Sequence, residues 1–198
     1  MKTLALILAV IMLAAAGWYD HEQGITANSL LTDNTAIDFG NPAALDPYLL
    51  EAEQLAAAEA ALNLAGEHPL AGNIIERPDF VSRIEWQILK GVVAARENSE
   101  QELLRLVNYL RFNKQLEWWQ SQQPDPNHHQ HVRVGWKLLN EIPARVEQQD
   151  LAADQAQRLQ VTLLEVLEPD PGKRRHHLER EAARIGVTFR IESSSYNP

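Results

Sequence analysis

His128, His129 and His131 form the densest cluster of metal-capable side chains in the sequence. On a helix His128 and His131 stand three residues apart, a spacing at which two imidazoles can share a divalent ion, with Asp125 close by in sequence. His176 and His177 would complete such a site only if the fold brought them near. The competing reading is a set of solvent-facing polar groups at a helix start. Trp118 and Trp119 point about 100° apart on a helix, so both cannot face one core. Either one of them is exposed as part of a binding surface, or a second neighbour packs on that side. Between Pro171 and Arg190, Lys173, Arg174, Arg175, Arg180, Arg184 and Arg190 outnumber Glu179 and Glu181. This is either a solvated face or, through Arg174 and Arg175, a contact for an acidic protein or lipid headgroups. Glu85 beside Trp86 is either a sheltered carboxylate or an ordinary solvated one.

Motifs of the common catalytic classes are absent. There is no H-E-x-x-H zinc motif, no G-x-S-x-G elbow, no phosphate-binding glycine loop and no cysteine. Asp33 to Gly40 lacks the alternating oxygen ligands and the distal Glu of a calcium loop. The residues therefore point to a non-catalytic binding protein without a cofactor, with a divalent-metal-binding protein using His128 and His131 as the alternative.

The elements that must carry these side chains read as helices. Asp46-Pro47 supplies an N-cap and a first-turn proline, and an Ala, Leu and Glu-rich stretch follows to Ala65 before Gly66. Arg77-Pro78-Asp79 marks a second start, with Val81, Ile84, Ile88 and Val92 at helical spacing. Ser99-Glu100-Gln101-Glu102 has the form of a capping box, and the helix it opens sets Leu103, Val107 and Leu110 on one face. Asp125-Pro126 begins the next helix, with Val132, Trp136 and Leu139 inward, and Pro143 is expected to kink or break it. Asp150 is placed as the cap of a stretch containing Leu151, Leu159, Leu163 and Val166. Asp170-Pro171 opens a last helix that stops at Gly186. Residues 187–191 alternate like a strand without a visible partner. The expected fold is all-α: five or six amphipathic helices in an irregular bundle or helical-hairpin array, preceded by an N-terminal membrane or signal segment.

That segment is the apolar run from Leu4 to Trp18 behind Lys2. It is shorter than the roughly 20 residues that span a bilayer comfortably, and Ala14-Ala15-Ala16 before Gly17 suits signal cleavage. Retention as an anchor, with Leu4, Leu8, Ile11 and Trp18 in or at the membrane, is the rival reading. Residues 3–76 hold ten carboxylates and no Lys or Arg, whereas residues 77–198 carry seventeen charges of each sign. Both readings place the body outside the cytoplasm, in the bacterial periplasm, anchored to the inner membrane or soluble after cleavage. A neutral body argues against nucleic acid as a partner. Residues 1–19 form the signal or anchor, 20–45 a Gly, Asn and Pro-containing linker, and 46–198 the helical domain.

Leu103-Leu104 with Tyr109-Leu110-Arg111-Phe112 and Leu116 resembles the helical L-x-x-Y-L pattern of the membrane-anchored steric chaperones of bacterial secreted lipases, and of accessory proteins of secreted phospholipases. Leu151 to Leu164, with Asp154 and Gln155, is similar to that family's late helices, and the layout of anchor, linker and helical body is shared. The family's Arg followed by Phe-Asp-Tyr is absent, and Pro47-Tyr48-Leu49-Leu50 is the nearest segment. The resemblance implies a protein that holds another exported protein by an extended helical surface, and it transfers no functional residue.

Overall fold

In the computed structural model, the described residues are 47–187 except 124 and 126. They form six helices: α1 Pro47–Asn63, α2 Arg83–Val93, α3 Ser99–Ser121, α4 His129–Glu147, α5 Ala153–Leu167 and α6 Pro171–Arg184. No strand occurs among the described residues, and none of these helices is long and apolar enough to cross a membrane. The proposed membrane segment with Leu4, Leu8, Ile11 and Trp18, the linker, and most of the tail pattern lie outside the described residues.

From α2 onward each helix packs on its successor in sequence, and α1 packs on α3. α3 is therefore covered by α1, α2 and α4. The main core gathers Phe112 and Trp119 of α3, Val134, Leu138, Leu139 and Ile142 of α4, and Ala156, Leu163, Leu164 and Leu167 of α5. Burial of these apolar faces is what makes the individually short helices stable. At Gly135 an added Cβ would lie 2.9 Å from both Leu167 Cδ2 and Trp119 Nε1, two side chains already buried in that core. Gly135→Ala should accordingly lower stability by about 1–3 kcal/mol through overpacking, less the gain of roughly 0.8–1 kcal/mol from better helix propensity. A urea midpoint equal to or above the parent's would show that the helices separate to admit the methyl group.

Several helix starts differ from the sequence reading. α2 begins at Arg83 because Ser82 and Glu85 form the capping box: Glu85 N–H donates to Ser82 Oγ at 3.3 Å and Ser82 N–H to Glu85 Oε2 at 2.8 Å. No box forms at Ser99, which is already the first residue of α3; Glu102 instead accepts from Arg96 and Arg105, both at 2.7 Å. α4 starts at His129, capped by His128, and runs through Pro143 to Glu147 without a break. Leu139 and Ile142, buried beside that turn, hold it where proline removes a bond. Ala152 is the N-cap of α5, and Asp150 has another role, described below. At α6 the reading holds: Asp170 Oδ1 accepts from Lys173 N–H at 2.8 Å, Pro171 is the first helical residue, and Gly186 takes φ +75° after the last turn.

Residues 64–82, between α1 and α2, contain no helix, and a connection of that length is uncommon in a compact domain. A polar row on α3 holds them. Asn108 accepts from Leu70 N–H at 2.9 Å and donates to Leu70 O at 3.0 Å. Arg111 donates to His68 O at 3.1 Å and Lys114 to Phe80 O at 2.9 Å, while Gln115 donates to Ala61 O at the end of α1 at 2.7 Å. Side chains of α3 thus satisfy carbonyls of the loop and of α1 that neither helix nor sheet pairs.

Candidate functional site

The histidine cluster is arranged for packing. His131 is 1% exposed, and its Nε2 lies 3.1 Å from the carbonyl oxygen of Trp119. A carbonyl only accepts, so that nitrogen carries the proton. The ring stacks on Trp119 at 4.7 Å and 12° and meets Trp118 edge-on at 6.2 Å. His128 Nδ1 accepts from the His131 backbone N–H at 3.1 Å and so caps α4. One ring nitrogen of each is engaged, His131 Nδ1 is buried without a hydrogen-bond partner, and no group of three or more His, Cys, Asp or Glu among the described residues is placed to hold an ion. The structure thus gives His128 and His131 a capping and a packing role, and brings no third ligand to them among the described residues. Because α4 begins three residues later than expected, His128 is a cap and not a rung of the helix. Asp125 is used locally, accepting from Asn127 N–H at 2.8 Å.

Trp119 is 4% exposed and belongs to the core, and Trp118 is half-buried against the same cluster. Helices on more than one side of α3 accommodate both rings, so Trp119 is not part of any surface. Arg174 is half-buried and donates to Glu168 O at 3.3 Å, tying α6 to the end of α5, whereas Arg175 is exposed.

Besides Glu181, which Arg184 pairs within α6, buried charges form three groups that join elements. Lys114 pairs with Glu85 at 2.8 Å; Arg111 and Lys137 meet Glu141 at 3.2 and 3.1 Å; Asp150 lies between Arg105 and Arg145, the latter at 3.1 Å. Burial lowers the pKa of the Lys114 ammonium, partly offset by Glu85. It raises that of the Asp150 carboxyl against the pull of Arg105 and Arg145. Hydrogen bonds from Arg105 hold Glu102 low. Each buried carboxylate already faces its own cation, and the groups join α2 to α3, α3 to α4, and α3 and α4 to the turn before α5. Of the two readings of Glu85, the sheltered one is what the structure shows, and its carboxylate serves a cap and an ion pair.

Sequence reasoning passed over the outer side of α1. Ala57, Ala61 and Leu62 are buried on α3's side, yet Leu49, Ala52, Leu55 and Ala56 on the other side are exposed, Leu49 by 63% and Leu55 by 66%. Ile75, on the long loop, is 85% exposed. A helix apolar on two sides normally has both covered. The absence of a polar face in residues 47–62, where Glu51, Glu53, Gln54 and Glu59 are the polar members, was the available signal.

No protein-family model, curated protein or solved structure matches this chain.

Proposed function

We propose that this chain is an exported helical binding protein that serves another exported protein as an accessory factor or chaperone. It works in the bacterial periplasm, held to the inner membrane by its N-terminal segment or freed from it by cleavage. The export reading draws on the apolar run behind Lys2 and the absence of Lys and Arg from residues 3–76. The observation that carries the binding reading is the outward apolar row of α1, Leu49, Ala52, Leu55 and Ala56. Apolar surface in water costs roughly 25 cal/mol per Å², and a partner's apolar segment removes that cost on docking.

Chemistry narrows the partner. Glu51 and Glu59 are exposed on α1, and the helix carries no cation. The fitting segment is therefore apolar with Lys or Arg at its flanks, and an acidic segment would be repelled. Layout and helical body parallel the lipase chaperones named above, which supports the same kind of task.

The test is co-purification of the full-length chain from native membranes, beside a variant with Leu49→Glu and Leu55→Glu. Both side chains are exposed, so the fold should survive. We expect an exported protein to be recovered with the parent and to fall at least about ten-fold with the variant, as for loss of a central contact. Equal recovery with both, or a parent recovered alone, would remove the proposal.

A further inference from the structure

α6 turns Leu178, Glu181 and Ala182 towards the body and Lys173, Arg175, His176, Glu179, Arg180 and Ala183 outwards. Charge on the outward side is largely uncompensated. Among the described residues Lys173 and Arg175 make no ion pair, and Arg180 approaches Glu181 only to 3.8 Å. Glu181 is already held by Arg184 at 2.5 Å. Glu179 is the one anion on the outward side of the helix, and the exposed Asp170 at its start caps the Lys173 amide and partly offsets the charges of Lys173 and Arg174, which leaves Arg175 and Arg180 as the less compensated pair. The face also extends onto α4. Trp136 meets His177 edge-on at 5.8 Å and Arg184 reaches Asn140 O at 3.4 Å, a register that sets the exposed Arg133 towards the Lys173 end.

We propose that this face of α6 is an electrostatic contact for the anionic headgroups of the membrane to which the chain is tethered. Guanidinium groups match phosphate oxygens in pairs, and a cluster of exposed cations gains about 1 kcal/mol each near an anionic leaflet. Two facts favour a membrane over an acidic protein. The 26 residues from 20 to 45 can reach at most about 90 Å, which holds a tethered body at high effective concentration beside the headgroups. Residues 20–76, with ten carboxylates and no cation, are repelled by the same surface, so electrostatic attraction falls to the basic face of α6. The proposal takes only proximity from the tethered reading, and the experiment separates the two.

The chain contains no cysteine, so Ala183→Cys in the full-length protein carries a single environment-sensitive fluorophore on this face. The labelled protein is mixed with phosphatidylcholine vesicles and with vesicles in which about one lipid in three is phosphatidylglycerol. We expect a blue shift only with the anionic vesicles, lost at high salt and lost when Arg175→Gln and Arg180→Gln are added. Equal emission in both vesicles, or a shift that survives neutralisation, would overturn the contact. Flotation on neutral vesicles reads the tether by itself. A chain that floats there without a shift on anionic vesicles keeps its tether and refutes the headgroup contact. If it does not float on neutral vesicles, flotation with anionic ones decides, with an expected drop of about thirty-fold for the double substitution. Binding to polyglutamate without binding to anionic vesicles would assign the face to an acidic polypeptide and overturn the proposal.

Discussion

Replacing Asp150 by alanine should cost about 3–5 kcal/mol of stability, measured as a lower urea midpoint at neutral pH. The Asp150 side chain is fully enclosed and lies between the guanidinium groups of Arg105 and Arg145. Arg105 retains Glu102 when Asp150 is removed, but Arg145, 2% exposed at its side chain, loses its paired anion in the interior. Backbone geometry places the carboxylate there: Asp150 and Leu151 N–H both donate to Arg145 O, at 2.8 and 3.2 Å, after Gln149 turns the chain with φ 61°. The loss therefore comes from an unpaired buried charge and not from a missing cap. Adding Arg145→Met to Asp150→Ala should recover part of the stability by removing that charge. A single variant within about 1 kcal/mol of the parent would mean that water reaches Arg145, and the buried pair would no longer explain the turn.

Trp119→Ala should cost a similar amount, about 3–5 kcal/mol, and Trp118→Ala clearly less. Trp119 fills the space between α3, α4 and α5 that Gly135 leaves open, and its ring is the face on which His131 stacks. Truncation leaves a cavity walled by Leu167 and His131, and it exposes no new surface to a partner. Trp118 has only one side in the core, so its loss removes less apolar burial. Denaturation of the two single variants decides the order. The same pair tests the proposed function, because Trp119→Ala should reduce partner capture only in proportion to the folded fraction, whereas the Leu49 and Leu55 changes act on folded protein. If Trp119→Ala left stability unchanged, the ring would belong on the surface, as a binding residue.

The residues that signalled helices did so through interactions spanning one turn. Asp170-Pro171 and Gly186 bound α6 as expected, and Leu103, Val107 and Leu110 share a buried face on α3. Where one short motif had two possible uses, the local pattern was not enough. Ser82 and Ser99 are both followed three residues later by Glu, yet only Ser82 caps, because Glu102 is held by Arg96 and Arg105. Asp150 precedes a helix as a cap would, yet it pairs with Arg105, 45 residues away. His128 and His131 have a ligand spacing, yet one caps α4 and the other is buried on Trp119.

By itself the sequence determined that the described body is all-helical, with six segments near the expected places, and that charge is divided between an acidic first part and a neutral remainder. Tertiary structure decided which sides of those helices are covered. It buried Trp119 because α3 has neighbours on several sides, left Leu49 and Leu55 in solvent because only one side of α1 meets α3, and turned Arg175 and Arg180 outwards. The reason is range. Caps, proline starts and helical periodicity are interactions between residues within a turn of each other, and their spacing is written in the order of residues. Covering a face needs contacts between segments 28 to 54 residues apart, such as Gln54 with Ser82 and Gln115 with Ala61, and these exist only once the helices have packed.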